Sequence, residues 1–119
     1  MSVTSADELV GHMLEATRQS LIYVEGMDQA DFMADKRTQQ AVILNLIILG
    51  EAATKLMDRH PDFASAHPEI EWRSMRGMRN RIAHGYHDIN LDVVWETVSS
   101  ALPGLRRGLK VWGLSKASP

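Results

Sequence analysis

The stretch AVILNLIILG, residues 41–50, decides the fold of this chain because it is apolar almost all round. A strand could have this composition, but the apolar pattern continues at helical spacing as far as Met57. Between Thr38 and Arg59 there is no proline and only one glycine, Gly50. We therefore predict a helix of about 22 residues, roughly 33 Å long, at the centre of the fold or at a contact between subunits.

The segment before this helix predicts another helix and a connection. Ser5 and Glu8 have the spacing of a capping box, in which a serine hydroxyl and a glutamate begin a helix. Apolar residues then recur at helical spacing until Gly26, which suits a helix end. We expect residues 27–36 to connect the two helices, with space for one short helical turn around Phe32.

Two more helices are predicted after the central one. Two prolines and several small residues indicate a loop over Pro61–Pro68. A third helix fits Glu71 to about Tyr86, and Asn90 caps a fourth. The apolar stripe of the fourth helix runs to Trp112 and is interrupted by Pro103, where we expect a kink or a break. Four such elements predict an all-α fold, an antiparallel four-helix-type bundle.

Length and composition indicate a single globular domain. The chain has 119 residues, of which 45% are apolar, and it carries a net charge of -2. A composition this apolar, with so little net charge, is not that of an intrinsically disordered protein. We expect one domain over residues 1–119, with its core over about residues 5–112 and a frayed end after residue 114. The absence of cysteine excludes a disulfide scaffold, a thiolate metal site and a cysteine nucleophile.

Nothing in the sequence predicts export or insertion into a membrane. The first residues, MSVTSADELVGHM, lack the basic start and apolar core of a signal peptide. The apolar run over residues 41–49 is interrupted by Asn45 and is too short to span a bilayer. We therefore expect a soluble cytoplasmic protein with no membrane partner.

Positive charge is concentrated in residues 73–87. This segment contains no acid, whereas the rest of the chain has 9 of the 13 Lys and Arg residues and all 15 acids, a balance of -6. Its basic residues are Arg73, Arg76, Arg79, Arg81, His84 and His87. The segment is either a solvated helix face or a phosphate-binding patch, since arginine forks match phosphate oxygens.

The residues RNRIAHGY, at positions 79–86, carry the chemistry of a candidate site. A histidine can act as general base or acid near neutral pH, and an arginine can stabilise charge on a phosphate. Together they can make a ribose 2′-OH attack the adjacent phosphodiester without a metal. Asn80 shares a helical face with His84, and Arg79 shares one with Tyr86. Arg79 and His84 are about 140° apart around an ideal helix. This angle predicts that the site within one chain is incomplete and that a symmetric dimer would complete it.

This motif, Arg79-x-x-x-x-His84-x-Tyr86 with Asn80 directly after the arginine, resembles the signature of HEPN-domain proteins of the HepT-like family. The resemblance extends over about residues 5–110 and includes residues 31–37, 48–53, 72–73, 94–95 and 102–103. It implies an all-α bundle that forms a two-fold homodimer. It also implies a metal-independent endoribonuclease that needs no cofactor, with Arg79 and His84 at a composite dimer cleft.

The same resemblance implies a partner and a mode of control. HepT-like proteins are the toxins of two-gene toxin–antitoxin modules. Their partner is a minimal nucleotidyltransferase antitoxin that transfers AMP to the tyrosine matching Tyr86. The other interpretation of Tyr86 is a packed tyrosine whose hydroxyl only bonds a neighbour.

Several polar residues are candidates for supporting roles. Glu51 lies in an apolar helix, where unpaired burial is costly, so we expect it to face a positive partner or a cleft. It either forms a salt bridge with an arginine of the motif or supports the site. Asn80 and Arg76 are further supporting candidates. The candidates for contacts with RNA are Arg73, Arg76 and Arg81.

Two further questions concern metal binding and the class of function. His84, His87 and Asp88 are close in sequence, but three ligands near a helix end are weak evidence of zinc, and we predict no metal site.

The preferred function is an endoribonuclease toxin. The alternative is a catalytically silent helical dimer that binds RNA or a nucleotidyltransferase, because a family fold does not guarantee activity.

Overall fold

The computed structural model of this chain describes the backbone of residues 4–117 and the side chains of residues 4–110. Over these residues the chain is helical and contains no strand, which confirms the predicted all-α class. The helices are α1 (Ala6–Tyr23), α2 (Gln29–Met33), α3 (Lys36–Arg59), α4 (Pro61–Ala66), α5 (Trp72–His84), α6 (Leu91–Glu96) and α7 (Leu102–Ala117). A 3-10 turn over Tyr86–Asp88 follows α5, and a π-helical segment over Thr97–Ala101 joins α6 to α7.

Helix α3 occupies the centre of the fold, as its apolar sequence predicts. It packs along one side against α1 and along another against α5, while α7 packs on α1. Its buried residues are Val42, Ile43, Leu46, Leu49, Gly50, Ala52, Ala53 and Leu56. Each large apolar side chain buried in this way contributes about 1.5–3 kcal/mol relative to exposure, so this helix holds the bundle together.

By length and composition alone, α3 could also cross a membrane. The apolar run over residues 41–49 is too short to span a bilayer, but the helix that contains it has 24 residues. The core helix of a soluble protein passes the same test, so this result by itself does not assign α3 to a membrane.

The predicted helix starts and stops are observed at three points, and a fourth cap, at Asp35, was not predicted. The Ser5 hydroxyl accepts a hydrogen bond from the Glu8 backbone N–H at 3.1 Å, and Gly26 has a left-handed φ of 79° after α1. Asn90 caps α6 by accepting from the Asp92 backbone N–H at 2.9 Å. Asp35 caps α3 by accepting from the hydroxyl and the backbone N–H of Thr38, which lowers the pKa of the Asp35 carboxyl below its usual 3.8.

The segment over Pro61–Pro68 is not entirely a loop, because α4 forms within it. Proline is well suited to the first position of a helix, where its missing N–H needs no partner, and Ala64 of this short helix is buried. The predicted third helix also ends earlier than expected, at His84 rather than Tyr86. Its last turn closes with a hydrogen bond from the Gly85 N–H to the Arg81 carbonyl.

The predicted fourth helix is divided near Pro103, but the irregularity precedes the proline. Proline has no N–H to donate to the carbonyl four residues earlier, at Ser99. The backbone widens here, and the Leu102 N–H bonds to the carbonyl of Thr97, five residues back. Helix α7 then continues to Ala117, past the point where we expected fraying. The prediction for the Trp112 side chain lies outside the described residues.

Candidate active site

Gly50 allows α5 to approach α3 closely at the centre of the bundle. A Cβ atom at this position would collide with the Cβ of Arg79 and would lie 2.8 Å from the carbonyl oxygen of Met75. Only glycine fits at a helix crossing this tight. The crossing therefore places the base of the Arg79 side chain directly against α3.

Two side chains of α3, one turn apart, hold the Arg79 guanidinium. Its Nη1 lies 3.3 Å from Oε1 of Glu51, and its Nη2 donates to the hydroxyl of Thr54 at 3.1 Å. The Arg79 side chain is only 23% exposed, and its Nε is buried with no hydrogen-bond acceptor among the described residues. A guanidinium has five N–H donors, so one N–H on each terminal nitrogen is left for another acceptor.

The contacts of Arg79 with Glu51 and Thr54 account for an acid in an apolar helix and add Thr54, a residue that the sequence did not predict. Glu51 forms the salt bridge with a motif arginine that was one of its two interpretations. Thr54 was missed, because a threonine three residues after Glu51 has no signal of its own in the sequence. The available clue was its position one helical turn from an unexpected acid in an apolar helix.

A second ion pair continues the same line of contacts. Nη2 of Arg76 lies 2.9 Å from Oδ1 of Asp58. Two acids of α3 therefore form ion pairs with two arginines of α5 that are one helical turn apart. Arg73 lies near the start of α5 and is exposed, and no hydrogen bond or ion pair joins it to another residue in the part of the chain that the structure describes.

His84 is the last residue of α5 and is exposed. Asn80, one turn earlier, is half-buried and lies on the same face, as predicted. Because α5 is a continuous helix from Trp72 to His84, Arg79 and His84 point about 140° apart. The structure therefore places the two candidate catalytic residues about 1.4 turns apart and on different faces of α5.

Tyr86 lies beyond the end of α5, in the 3-10 turn. The prediction that it shares a helical face with Arg79 is wrong, because the helix ends two residues earlier. Its side chain is 49% exposed, and its ring meets His87 edge-on with centroids 5.9 Å apart. Within the described residues the Tyr86 hydroxyl has no hydrogen-bond partner.

Arg81 is separated from the other arginines. It lies about 200° around α5 from Arg79 and lines a groove between α5 and α7. For metals, residues 4–110 contain no group of three or more His, Cys, Asp or Glu side chains that could hold an ion. The neighbours His84, His87 and Asp88 thus do not form such a group.

An exposed apolar patch borders the site. We define the outer face of α3 by Leu44, Ile48, Glu51 and Lys55, which recur every three or four residues and so lie on one side of the helix. Leu44 is 57% exposed and Ile48 is 41% exposed. The apolar half of this face therefore leads directly to the glutamate that holds Arg79.

Comparisons with known proteins identify the family of this chain. The profile of the family described as "Ribonuclease HepT-like" matches residues 13–111. "Probable ribonuclease HepT" of Thermococcus cleftensis is 43% identical over 76 residues, which cover 64% of this chain and 66%, about two thirds, of that relative. No solved structure matches this chain.

More distant relatives match over longer segments. A protein of Methanocaldococcus jannaschii with an RNase name is 32% identical over 91 residues, covering 76% of this chain and 73% of the relative. Another with an RNase name, from Caldanaerobacter subterraneus, is 29% identical over 99 residues, covering 83% of this chain and 86% of the relative. The chain therefore belongs to the ribonuclease HepT-like family, which assigns it ribonuclease activity.

Proposed function

We propose that this protein is a metal-independent endoribonuclease in which Arg79 and His84 act on one phosphodiester. His84 takes the proton of a ribose 2′-OH, whose oxygen then attacks the adjacent phosphorus. The bond to the 5′ oxygen of the next nucleotide breaks, and that oxygen receives a proton. The products are a 2′,3′-cyclic phosphate and a 5′-OH, so the substrate supplies the nucleophile.

The observation that carries this proposal is the fixed guanidinium of Arg79. Glu51 and Thr54 hold it at 3.3 Å and 3.1 Å, and the second N–H of each terminal nitrogen, like the buried Nε–H, has no partner in the described chain. Donors that are fixed before the reaction stabilise developing negative charge without reorganising. Arg79 would therefore bind the phosphate as charge accumulates on it.

Neighbouring residues would extend the contact with RNA. Arg73 and Arg76 lie on the N-terminal half of α5 and would bind phosphates next to the scissile one, as arginine forks do. Asn80 shares a face with His84 and would orient the histidine or the substrate through its amide. These contacts would make binding weaker as salt increases.

We further propose that the site is completed by a two-fold homodimer, with the α5 helices near the axis. Within one chain Arg79 and His84 face in different directions, and the outer face of α3 exposes Leu44 and Ile48 beside Glu51. A symmetric contact on this face would bury the apolar patch and would bring Arg79 of one chain toward His84 of the other.

The proposal includes a place in a toxin–antitoxin module. A minimal nucleotidyltransferase would neutralise the enzyme by transferring AMP from ATP to Tyr86. The phenol oxygen would attack the α-phosphorus, pyrophosphate would leave, and the phenol proton would pass to solvent. The exposure of Tyr86 and its unbonded hydroxyl favour an acceptor over a packed tyrosine. The added phosphate would compete with RNA for the arginines.

The test is cleavage of a labelled RNA in EDTA. We expect the wild type to release a 2′,3′-cyclic phosphate, and His84→Ala and Arg79→Ala to lose about 100-fold or more of the rate. His87→Ala is the matched control and should retain activity. A substrate with one 2′-deoxynucleotide at the cleaved position should resist. Full activity of His84→Ala, purified clear of other nucleases, would contradict the assignment.

One observation favours the alternative, a silent dimer that binds RNA or a nucleotidyltransferase. Arg79 is already engaged by α3, and no contact joins it to His84 in the described chain. The same assay separates the two functions, because a silent dimer would bind the labelled RNA in an anisotropy titration and leave it intact.

A further inference from the structure

A groove of about 650 Å³ lies between α5 and α7, on the side of α5 away from the outer face of α3. Its floor is formed by Leu46 and Leu49 of α3, its walls by Met75 and Met78 of α5 and by Leu102 and Leu105 of α7. An apolar groove of this size between two helices is a surface on which another molecule can dock.

The two ends of the groove carry opposite charge. Glu69 and Glu71 lie at the start of α5, and Arg81 lies in its last turn. Glu71 and Arg81 are ten positions apart, which corresponds to about 15 Å along the helix axis, or nearly three turns. Arg81 forms no hydrogen bond or ion pair within the described part of the chain, so its charge is available to whatever occupies the groove.

Two glycines on the α7 wall pack closely against nothing in the part of the chain whose side chains the structure describes. Gly104 and Gly108 are one turn apart and both line the groove. A Cβ atom at Gly108 would meet nothing within 4 Å among the described residues, and one at Gly104 would meet only the Arg107 guanidinium at 3.7 Å. Each glycine costs a helix about 1 kcal/mol relative to alanine. Gly50 differs, because a Cβ there collides with α5.

We propose that this groove binds an amphipathic α-helix of another protein, with the helix N-terminus beside Glu69 and Glu71 and its C-terminus beside Arg81. The groove is as long as three helical turns, and its charged ends match the partial charges of a helix in that direction. Gly104 and Gly108 let the backbone of the partner approach α7, and the two methionines adapt to its apolar face.

A protein helix fits this surface better than RNA or a second copy of the chain. The walls are mainly apolar, and among the described residues Arg81 is the one cation that lines the groove, whereas RNA needs several phosphate contacts. The dimer proposed above uses the outer face of α3, and Leu46 and Leu49 point to the opposite side of that helix. The groove is therefore independent of the proposed active site and dimer, and it remains open in both.

The test uses two synthetic helices of about 12 residues, each held helical by a hydrocarbon staple because short peptides are otherwise marginal helices. Both have a leucine and alanine face. The forward peptide has lysines in its first turn and glutamates in its last turn, and the reversed peptide exchanges them. By fluorescence anisotropy with the intact protein, we expect the forward peptide to bind about tenfold more tightly. Arg81→Glu should remove or reverse that preference, while Arg18→Glu, which changes an exposed arginine of α1, should not.

Filling the groove provides the second arm of the test. Gly108→Leu should weaken forward-peptide binding at least about tenfold and leave RNA cleavage and the sedimentation mass unchanged. Gly108→Ala should raise the melting temperature, which shows that position 108 tolerates a side chain. Gly11→Leu, on an exposed face of α1 with nothing within 4 Å, is the matched control and should bind normally.

Several results would overturn the proposal. If neither peptide binds saturably, the groove does not select a helix. The same conclusion follows if both peptides bind equally and Gly108→Leu has no effect. A change in sedimentation mass of Gly108→Leu would assign the groove to a contact between copies. A loss of RNA binding in Gly108→Leu would assign it to the substrate. These results leave the cleavage assay of His84→Ala unaffected, so the proposed nuclease stands or fails separately.

Discussion

Gly50 lies directly beneath Arg79, so closely that a Cβ atom at position 50 would occupy the space of the arginine's own Cβ. The next residue, Glu51, takes a salt bridge from the same arginine. One dipeptide of α3 thus sets both the approach of α5 and the direction of the guanidinium. Helix packing and candidate chemistry are coupled at this point.

Gly50→Ala should therefore damage both stability and activity. The added methyl must push α5 away, at a cost of about 1–3 kcal/mol in the free energy of unfolding, and should lower single-turnover cleavage by displacing Arg79. Urea unfolding and the RNA cleavage assay measure the two effects. Gly11→Ala, in an open position on α1, is the control and should unfold at equal or higher urea concentration. Equal behaviour of the two variants would contradict the close packing.

Thr54 should act as a positioning residue for Arg79. Thr54→Val keeps the shape but removes the acceptor of the 3.1 Å hydrogen bond, so we expect kcat to fall roughly tenfold with little change in KM. Thr54→Ser keeps a hydroxyl and should restore most of the rate. In the Arg79→Ala background, Thr54→Val should cost nothing more. If the valine and serine variants lose activity equally, the hydroxyl has no positioning role.

The outer face of α3 should hold the dimer together. Leu44→Glu with Ile48→Glu should reduce the mass measured by sedimentation to that of one chain and should abolish cleavage, because charge on a buried apolar contact is strongly unfavourable. Ile22→Glu alters an apolar side chain of similar exposure, 53%, on α1, and should leave the mass unchanged. A wild-type protein that sediments as a monomer at micromolar concentration would refute the dimer.

Mixing two inactive variants tests whether the site is composite. In a dimer of one Arg79→Ala chain and one His84→Ala chain, one composite site keeps both residues. After exchange of subunits, half of the dimers are mixed, so we expect roughly a quarter of wild-type activity. A site built within one chain predicts no recovery. The cleavage assay in EDTA reads out the result directly.

Modification of Tyr86 should silence the enzyme. Incubation with the proposed partner, a minimal nucleotidyltransferase, and ATP should add AMP to the peptide that contains Tyr86, as measured by mass spectrometry, and should suppress cleavage because the phosphate pairs with arginines and blocks entry. Tyr86→Phe should stay unmodified and active, and Tyr23→Phe, which removes another exposed tyrosine hydroxyl, should be modified normally. Adenylated protein that cleaves at the unmodified rate would contradict this control.

The Asp35 cap should make stability depend on pH in the acid range. Hydrogen bonds from Thr38 lower the pKa of the Asp35 carboxyl in the folded protein below 3.8, so its contribution is present above the unfolded pKa and is lost as the pH falls through the folded pKa. Asp35→Ala should therefore lower the melting temperature at pH 7, and the difference from wild type should shrink at lower pH. The exposed Glu25→Gln should show no such convergence.

The sequence by itself determined the helical class and most of the helix boundaries. The apolar run over residues 41–50 was long enough to require a central helix, and local side-chain caps at Ser5 and Asn90 gave starts that the structure confirms. These features depend on neighbours within four residues, which periodicity and capping chemistry report directly. The Arg79 to Tyr86 motif was visible for the same reason.

Tertiary structure decided what those residues face. Gly50 was only an isolated glycine in the sequence, and its contact with Arg79 spans 29 positions, so no local pattern could reveal it. Thr54 became a partner of Arg79 only when α5 packed on α3. Arg81, grouped with the other arginines by sequence, lies on the far side of α5 because each residue turns a helix by about 100°. Sequence supplied the residues, and the crossing of α3 and α5 assigned them to different surfaces.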